Sequence, residues 1–240
     1  MPSHELISFP TDDDLVGWVA NRWLDELTKR ADKSTPYCVA LSGGRIAKKL
    51  FTALAKSALA RSVSFEQVHF FWGDERCVPP TDAESNFGLA KAGLLDPLAI
   101  ASDKIHRVRG EILPQWAAAE AEAEICRIAP MNSAGQPVLD LVFLGMGEDG
   151  HVASLFPGAD EETARSNSVY LPVVAQKPPP QRITLNFAPL VAAGQVWVLV
   201  SGAGKERALR QSLSVDGGTP MARVLHTRAQ TVIFTDVAPA

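Results

Sequence analysis

A chain of 240 residues, 46% hydrophobic and 21% charged, has the balance of a folded globular protein and enough length to bury a core without disulfide or metal staples. Its formal net charge of −4 lacks the basic footprint of a nucleic-acid binder, so no nucleic-acid partner is expected. Cys38, Cys77 and Cys126 are too sparse and too widely spaced for a zinc ribbon, a CxxC redox pair or a disulfide framework. The first 14 residues have neither the basic start nor the apolar run of a signal peptide, and no stretch approaches the roughly 18 apolar residues of a spanning helix. A cytoplasmic protein with no membrane partner is expected.

Thr11 precedes three acids, Asp12, Asp13 and Asp14, which reads as a capped helix start with carboxylates at its positive end. Leu15, Val16, Val19, Trp23, Leu24 and Leu27 then follow at helical spacing. Residues 37–41 read as a buried strand in which Cys38 is a small core residue, 42–44 as a turn and 45–59 as a helix. Residues 68–72 form the next strand, followed by a long polar loop from 73 to 85. Residues 86–95 are expected to be helical, 105–108 a short strand and 114–129 a helix opened by Pro114; 131–137 form a surface loop. Strands follow at 139–144, 170–174 and 182–187, the last two joined by an extended connector at 178–180, since three prolines do not continue a helix. Strands at 195–200 and 231–235 flank a helix at 204–213.

Alternating helices and wholly apolar strands predict one α/β domain spanning residues 1–240, with a mostly parallel, Rossmann-like sheet covered by helices on both faces. In such sheets ligands bind beyond the carboxyl ends of the strands. The polar, glycine-rich segments 42–45, 73–76, 145–151 and 201–205 all follow strand ends and are expected to converge there.

Ser42, Gly43, Gly44 and Arg45 run from a strand into a helix, where free N–H groups and close backbone approach suit a phosphate; the same sequence also serves as a plain tight turn. It is neither a Walker loop nor a GxGxxG fingerprint. Asp74, Glu75 and Arg76 follow an aromatic strand, and Arg76 is able to make a forked contact with an anion; surface charge is the alternative reading. Within Gly145-Met146-Gly147-Glu148-Asp149-Gly150-His151, the histidine is suited to proton exchange near neutral pH, and Asp149 is placed to orient its ring or the substrate. Arg182 and Lys205 are candidate phosphate clamps or exposed cations. His4, His69, His106 and His226 lie in no comparable setting.

Together these segments resemble one family. Phe71-Trp72-Gly73-Asp74-Glu75-Arg76-Cys77-Val78-Pro79 with Ser85-Asn86 resembles the W-x-D-E-R-x-V-P…S-N block of the 6-phosphogluconolactonases, and residues 145–157 resemble their G-M-G-x-D-G-H-x-A-S-L-F-P signature. Arg182-Ile183-Thr184 and the run Ser201 to Lys205 fall where that family has later arginine and lysine motifs. The resemblance implies a fold shared with glucosamine-6-phosphate deaminases and ribose-5-phosphate isomerases, and hydrolysis of 6-phospho-D-glucono-1,5-lactone in the pentose phosphate pathway. It implies no cofactor and no required metal, a phosphorylated sugar lactone as the partner, and a monomer or small homo-oligomer. By position, His151 is implied as the base, with Asp74, Arg76 and Asp149 around it, and with Gly43, Gly44, Arg182 and Lys205 as phosphate contacts. Two departures stand out: Arg45-Ile46-Ala47 replaces the usual S-T-P after S-G-G, and Asp82 replaces a histidine that many members carry. An amino-sugar-phosphate isomerase or deaminase is a rival, but its glutamate in the histidine block aligns with Phe156; a non-catalytic sugar-phosphate sensor is a second.

Overall fold

The computed structural model describes residues 3–30, 34–158 and 166–237. Thr11 caps the first helix as expected: its Oγ1 accepts the Asp14 amide N–H at 3.1 Å. Helix α1 (Asp12–Lys29) then buries Leu15, Val16, Val19, Trp23, Leu24 and Leu27. Six strands, β1 (Ser3–Ser8), β2 (Tyr37–Leu41), β3 (Val68–Trp72), β5 (Leu141–Gly145), β8 (Gln195–Val200) and β9 (Gln230–Thr235), pair in the order β1-β9-β8-β5-β2-β3, every pair parallel. All five residues of β2 are buried, so helices cover both faces of the sheet at its centre.

Aromatic residues show how the two faces are filled. Successive strand residues point to opposite sides. Phe70 packs edge-on against Trp23 of α1, which also meets Phe65 and Phe143. Phe71 faces the other way and stacks on His106, whose Nδ1 donates to Glu124 of α4 (Pro114–Ile128) at 2.8 Å. Helix α2 (Arg45–Arg61) packs beside α1.

The structure corrects several expectations. The polar run after β3 is not wholly a loop. Residues Asp74–Arg76 form β4, which pairs antiparallel with β7 (Gln181–Leu185), and β7 pairs with β6 (Tyr170–Val174). The strands expected near 170 and 182 thus belong to a separate three-stranded sheet. Residues 105–108 contribute only a single bridge, Ile105 to Phe70. Other elements besides β4 were not anticipated. Strand β1 lies at a sheet edge with residues 4–6 exposed, so its sequence lacks an apolar run. Helix α5 (Phe187–Ala192) is six residues long. Helix α7 (Pro220–Thr227) carries a readable start, Thr219 accepting from the Ala222 N–H and Pro220 at the first turn. The expected helices at 86–95 and 204–213 appear as α3 (Asn86–Ala90) with a π-helical turn (Lys91–Leu95), and as α6 (Glu206–Leu213).

Two histidines without a sequence signal meet on the α4 face. Glu124 accepts from His106 Nδ1, so His106 Nε2 is the acceptor for His69 Nδ1 at 2.9 Å, and His69 Nε2 accepts from Lys104 at 3.3 Å. Each imidazole must be neutral for this chain to close. Burial, reinforced by Lys104 and His106, pushes His69 down to about 4, and burial lowers His106 against the pull of Glu124; Arg127, paired with Glu124, and Asp103 complete the surrounding charges. Unfolded imidazoles take up protons near pH 6.5 that the folded chain refuses. This stabilisation is therefore full above about 6.5 and is lost as the pH falls toward 4. Urea denaturation between pH 7 and pH 5 should show falling stability, with a shallower pH dependence in His69→Asn.

Candidate active site

Because all six strands of the main sheet run the same way, their carboxyl ends share one edge, and the loops that follow β2, β3, β5 and β8 meet there. They enclose a cavity of about 300 Å³. Ser42, Gly43, Gly44, Arg45, Asp74, Arg76, His151, Arg182 and Lys205 all line it, and Asp149 stands behind His151.

The histidine loop is shaped by its glycines. Residue 147 returns to residue 151 through an N–H to carbonyl bond of 2.9 Å, and Gly150 takes a φ of +80° in the turn between them. The His151 ring folds over Gly147 so closely that a β-carbon there would lie 2.1 Å from its Nδ1. Asp149 Oδ1 accepts both the His151 amide N–H, at 3.1 Å, and the ring Nδ1–H, at 2.5 Å. Burial alone would raise the Asp149 carboxyl, but the His151 amide and ring outweigh it and hold it below the usual carboxylate range. With Nδ1–H engaged, the lone pair of His151 lies on Nε2. Phe156 packs against the same ring at 4.8 Å between centroids.

Asp74 holds three segments together. Its Oδ2 accepts from Ser154 Oγ at 2.7 Å, and Asn86 Nδ2 donates to its backbone carbonyl at 2.8 Å and to Oδ1 at 3.3 Å. Asn86 also backs onto Gly43, where a β-carbon would fall 1.8 Å from Asn86 Oδ1. Neighbouring Glu75 receives the amides of Arg76, Asn86 and Phe87, each at 2.7 Å, and the Ser85 hydroxyl. Burial still pushes its carboxyl up to about 6. Asn86 and Ser154 lay inside recognisable sequence blocks but were not singled out as site residues; only the fold shows what they touch.

The cations are arranged differently. Arg76 and Arg182 face each other across the β4–β7 pair. Arg76 binds Glu84 at 2.8 Å through Nη1, while its buried Nε has no acceptor among the described residues. Arg182, buried, donates to the carbonyls of Pro179 and Lys177; burial and then the Arg76 charge push it below its ordinary value. Burial and then Arg45 likewise lower Lys205, opposed by Asp236 and Glu148. Arg45 is exposed, yet its side chain leans across the cavity mouth toward Gly202. Asp82, in the place of the family histidine, lies outside the cavity lining and closes a surface turn by accepting the Glu84 amide at 2.8 Å.

Cys77 carries no nucleophile's signature: burial, with Glu75 nearby, pushes its thiol up to about 11. Cys38 is fully buried, as expected. Among the described residues no group of three or more His, Cys, Asp or Glu side chains gathers to hold a metal ion, and no helix is long and apolar enough to cross a membrane. The assembled parts are an oriented imidazole, a buried polar network and cations of which Arg45, Arg182 and Lys205 have no carboxylate partner among the described residues. That set is suited to acid–base chemistry on an anionic substrate.

Comparison with known proteins agrees with the resemblance. Residues 10–233 match the family described as glucosamine-6-phosphate isomerases/6-phosphogluconolactonase. The chain is 37% identical over 210 residues to a 6-phosphogluconolactonase of Haemophilus influenzae, covering 85% of this chain and 84% of that one. It is 35% identical over 238 residues to that of Aggregatibacter actinomycetemcomitans, covering 96% of each. The solved structure of 6-phosphogluconolactonase from Trypanosoma brucei superposes with a TM-score of 0.87 at 26% identity, over 98% of this chain and 96% of that one.

Gly147→Ala tests the packing of the histidine loop. The added methyl should expel the ring from its seat, break the Asp149 bond and cost about 1–3 kcal/mol of stability. Urea denaturation and the NMR signal of the His151 Nδ1 proton check this.

Proposed function

Since this chain belongs to the glucosamine-6-phosphate isomerase/6-phosphogluconolactonase family, we propose that it hydrolyses 6-phospho-D-glucono-1,5-lactone to 6-phospho-D-gluconate, with His151 as the base. The observation that carries this reading is the presence, in one cavity, of a carboxylate-oriented imidazole and of three cations, Arg45, Arg182 and Lys205, that have no carboxylate partner among the described residues.

In this reading, the neutral Nε2 of His151 takes a proton from water as the water oxygen bonds to the lactone carbonyl carbon. Asp149 holds the tautomer and stabilises the imidazolium that forms. Negative charge gathers on the former carbonyl oxygen, and Arg76, which lines the cavity, or a loop N–H is the donor suited to meet it. Collapse of the tetrahedral intermediate breaks the bond to the ring oxygen, which takes the proton from His151. Lys205, Arg182 and the N–H groups opening α2 hold the phosphate at the far end, converting its binding into orientation. Arg45, at the cavity mouth, supplies a charge in place of the hydroxyls that the family usually has there.

Phe156 argues against the isomerase or deaminase reading. A phenyl ring packs on His151 where that chemistry uses a carboxyl group, and a phenyl ring relays no proton.

A coupled assay with freshly made 6-phosphogluconolactone, corrected for spontaneous hydrolysis, tests the activity. His151→Ala should remain folded and lose roughly a hundredfold to ten-thousandfold in catalysed rate. Near wild-type activity in that variant would remove the base assignment. Lys205→Ala and Arg182→Ala should raise KM for the phosphorylated lactone far more than for unphosphorylated gluconolactone. Equal effects on the two substrates would place these cations in the chemistry or the fold instead.

A further inference from the structure

The Lys205 loop does not hold its own shape. Between β8 and α6, residues Gly202 and Gly204 both take positive φ, +94° and +89°, a conformation that favours glycine. The Gly204 N–H is tied locally, to Glu206 at 2.9 Å and exposed to water. The stronger tie comes from another strand. Asp236, just beyond β9, accepts the Ser201 hydroxyl at 2.9 Å on Oδ2 and the Gly202 amide at 3.2 Å on Oδ1.

Asp236 is itself held rigidly. Val200 pairs with Thr235, which sets Asp236 beside Ser201. The fully buried Thr235 hydroxyl accepts the Val237 amide at 2.9 Å and donates to its carbonyl at 3.1 Å, tightening the turn in which Asp236 sits. The carboxylate also acts through space, opposing the burial and the Arg45 charge that weaken the Lys205 ammonium.

From this geometry we infer that Asp236 is the positioning residue of the anion-binding end of the site: it braces the Ser201–Gly202 backbone so that Lys205 and Arg45 converge on one phosphate. This deepens the proposed lactonase reading and rests on it for the identity of the anion. Asp236 touches neither the His151–Asp149 pair nor the reacting carbonyl, so its effect falls on the phosphate and not on the chemical step.

The test compares Asp236→Ala, Asp236→Asn and wild type, each checked for folding by thermal melting. KM and kcat are measured with 6-phosphogluconolactone and with unphosphorylated gluconolactone. In parallel, calorimetry measures binding of 6-phosphogluconate and of inorganic phosphate. For Asp236→Ala, KM for the phosphorylated lactone should rise roughly tenfold or more, with kcat within about twofold, while gluconolactone turnover changes little. Asp236→Asn keeps an oxygen for the Gly202 amide and an amide for Ser201, so it should recover most of the loss. A KM within about twofold of wild type in Asp236→Ala, or an equal change on both substrates, would overturn the inference. If wild type lacks lactonase activity, the functional reading fails by itself. Calorimetry then decides the brace: equal phosphate affinity in wild type and Asp236→Ala overturns it, and weaker affinity in Asp236→Ala sustains it.

Discussion

Asp74 is a carboxyl group that is only 5% exposed, and its hydrogen bonds organise everything around it. A buried polar group of this kind is tolerated only when its oxygens are bonded. Its donors come from two other segments, Ser154 beyond the histidine loop and Asn86 at the start of α3. They converge only when the small antiparallel sheet, α3 and the histidine loop all dock on the edge of the main sheet. Asn86 extends the arrangement to Gly43, because its amide fills the space that a side chain there would need. The cavity is thus the space left among segments that Asp74 obliges to meet.

Electrostatics give this cavity its direction. The chain as a whole carries a formal net charge of −4, yet Arg45, Arg76, Arg182 and Lys205 crowd one pocket. Two of them are pushed below their ordinary values, Arg182 by burial and then the Arg76 charge, Lys205 by burial and then the Arg45 charge. An anion entering the pocket relieves both strains. Of the acidic groups nearby, Asp149 is committed to His151, Asp236 to the Ser201 loop and Glu84 to Arg76.

Strands 37–41, 68–72 and 195–200 were legible because a strand covered on both faces reads as an unbroken apolar run. The Asp149–His151 pair was legible because its partners are two residues apart. Strand β4 was not, because Asp-Glu-Arg reads as a surface loop when the partners that accept those charges are unseen. Ser154 is 80 residues from Asp74, and His69 is 37 from His106; nothing local announces such pairs. Strand β1 escaped notice for the opposite reason, since an edge strand needs few apolar residues.

The strand order also bears on how the molecule is made. Strand β9 lies between β1 and β8, so β1 must wait for a strand made long after it, with Ser3 pairing to Gln230. Such distant partners make for slow folding, and until β9 arrives both flanking strands offer unpaired edges. Asp236 emerges one residue after β9. A nascent chain therefore acquires its histidine loop long before Asp236 is able to meet the loop that carries Lys205.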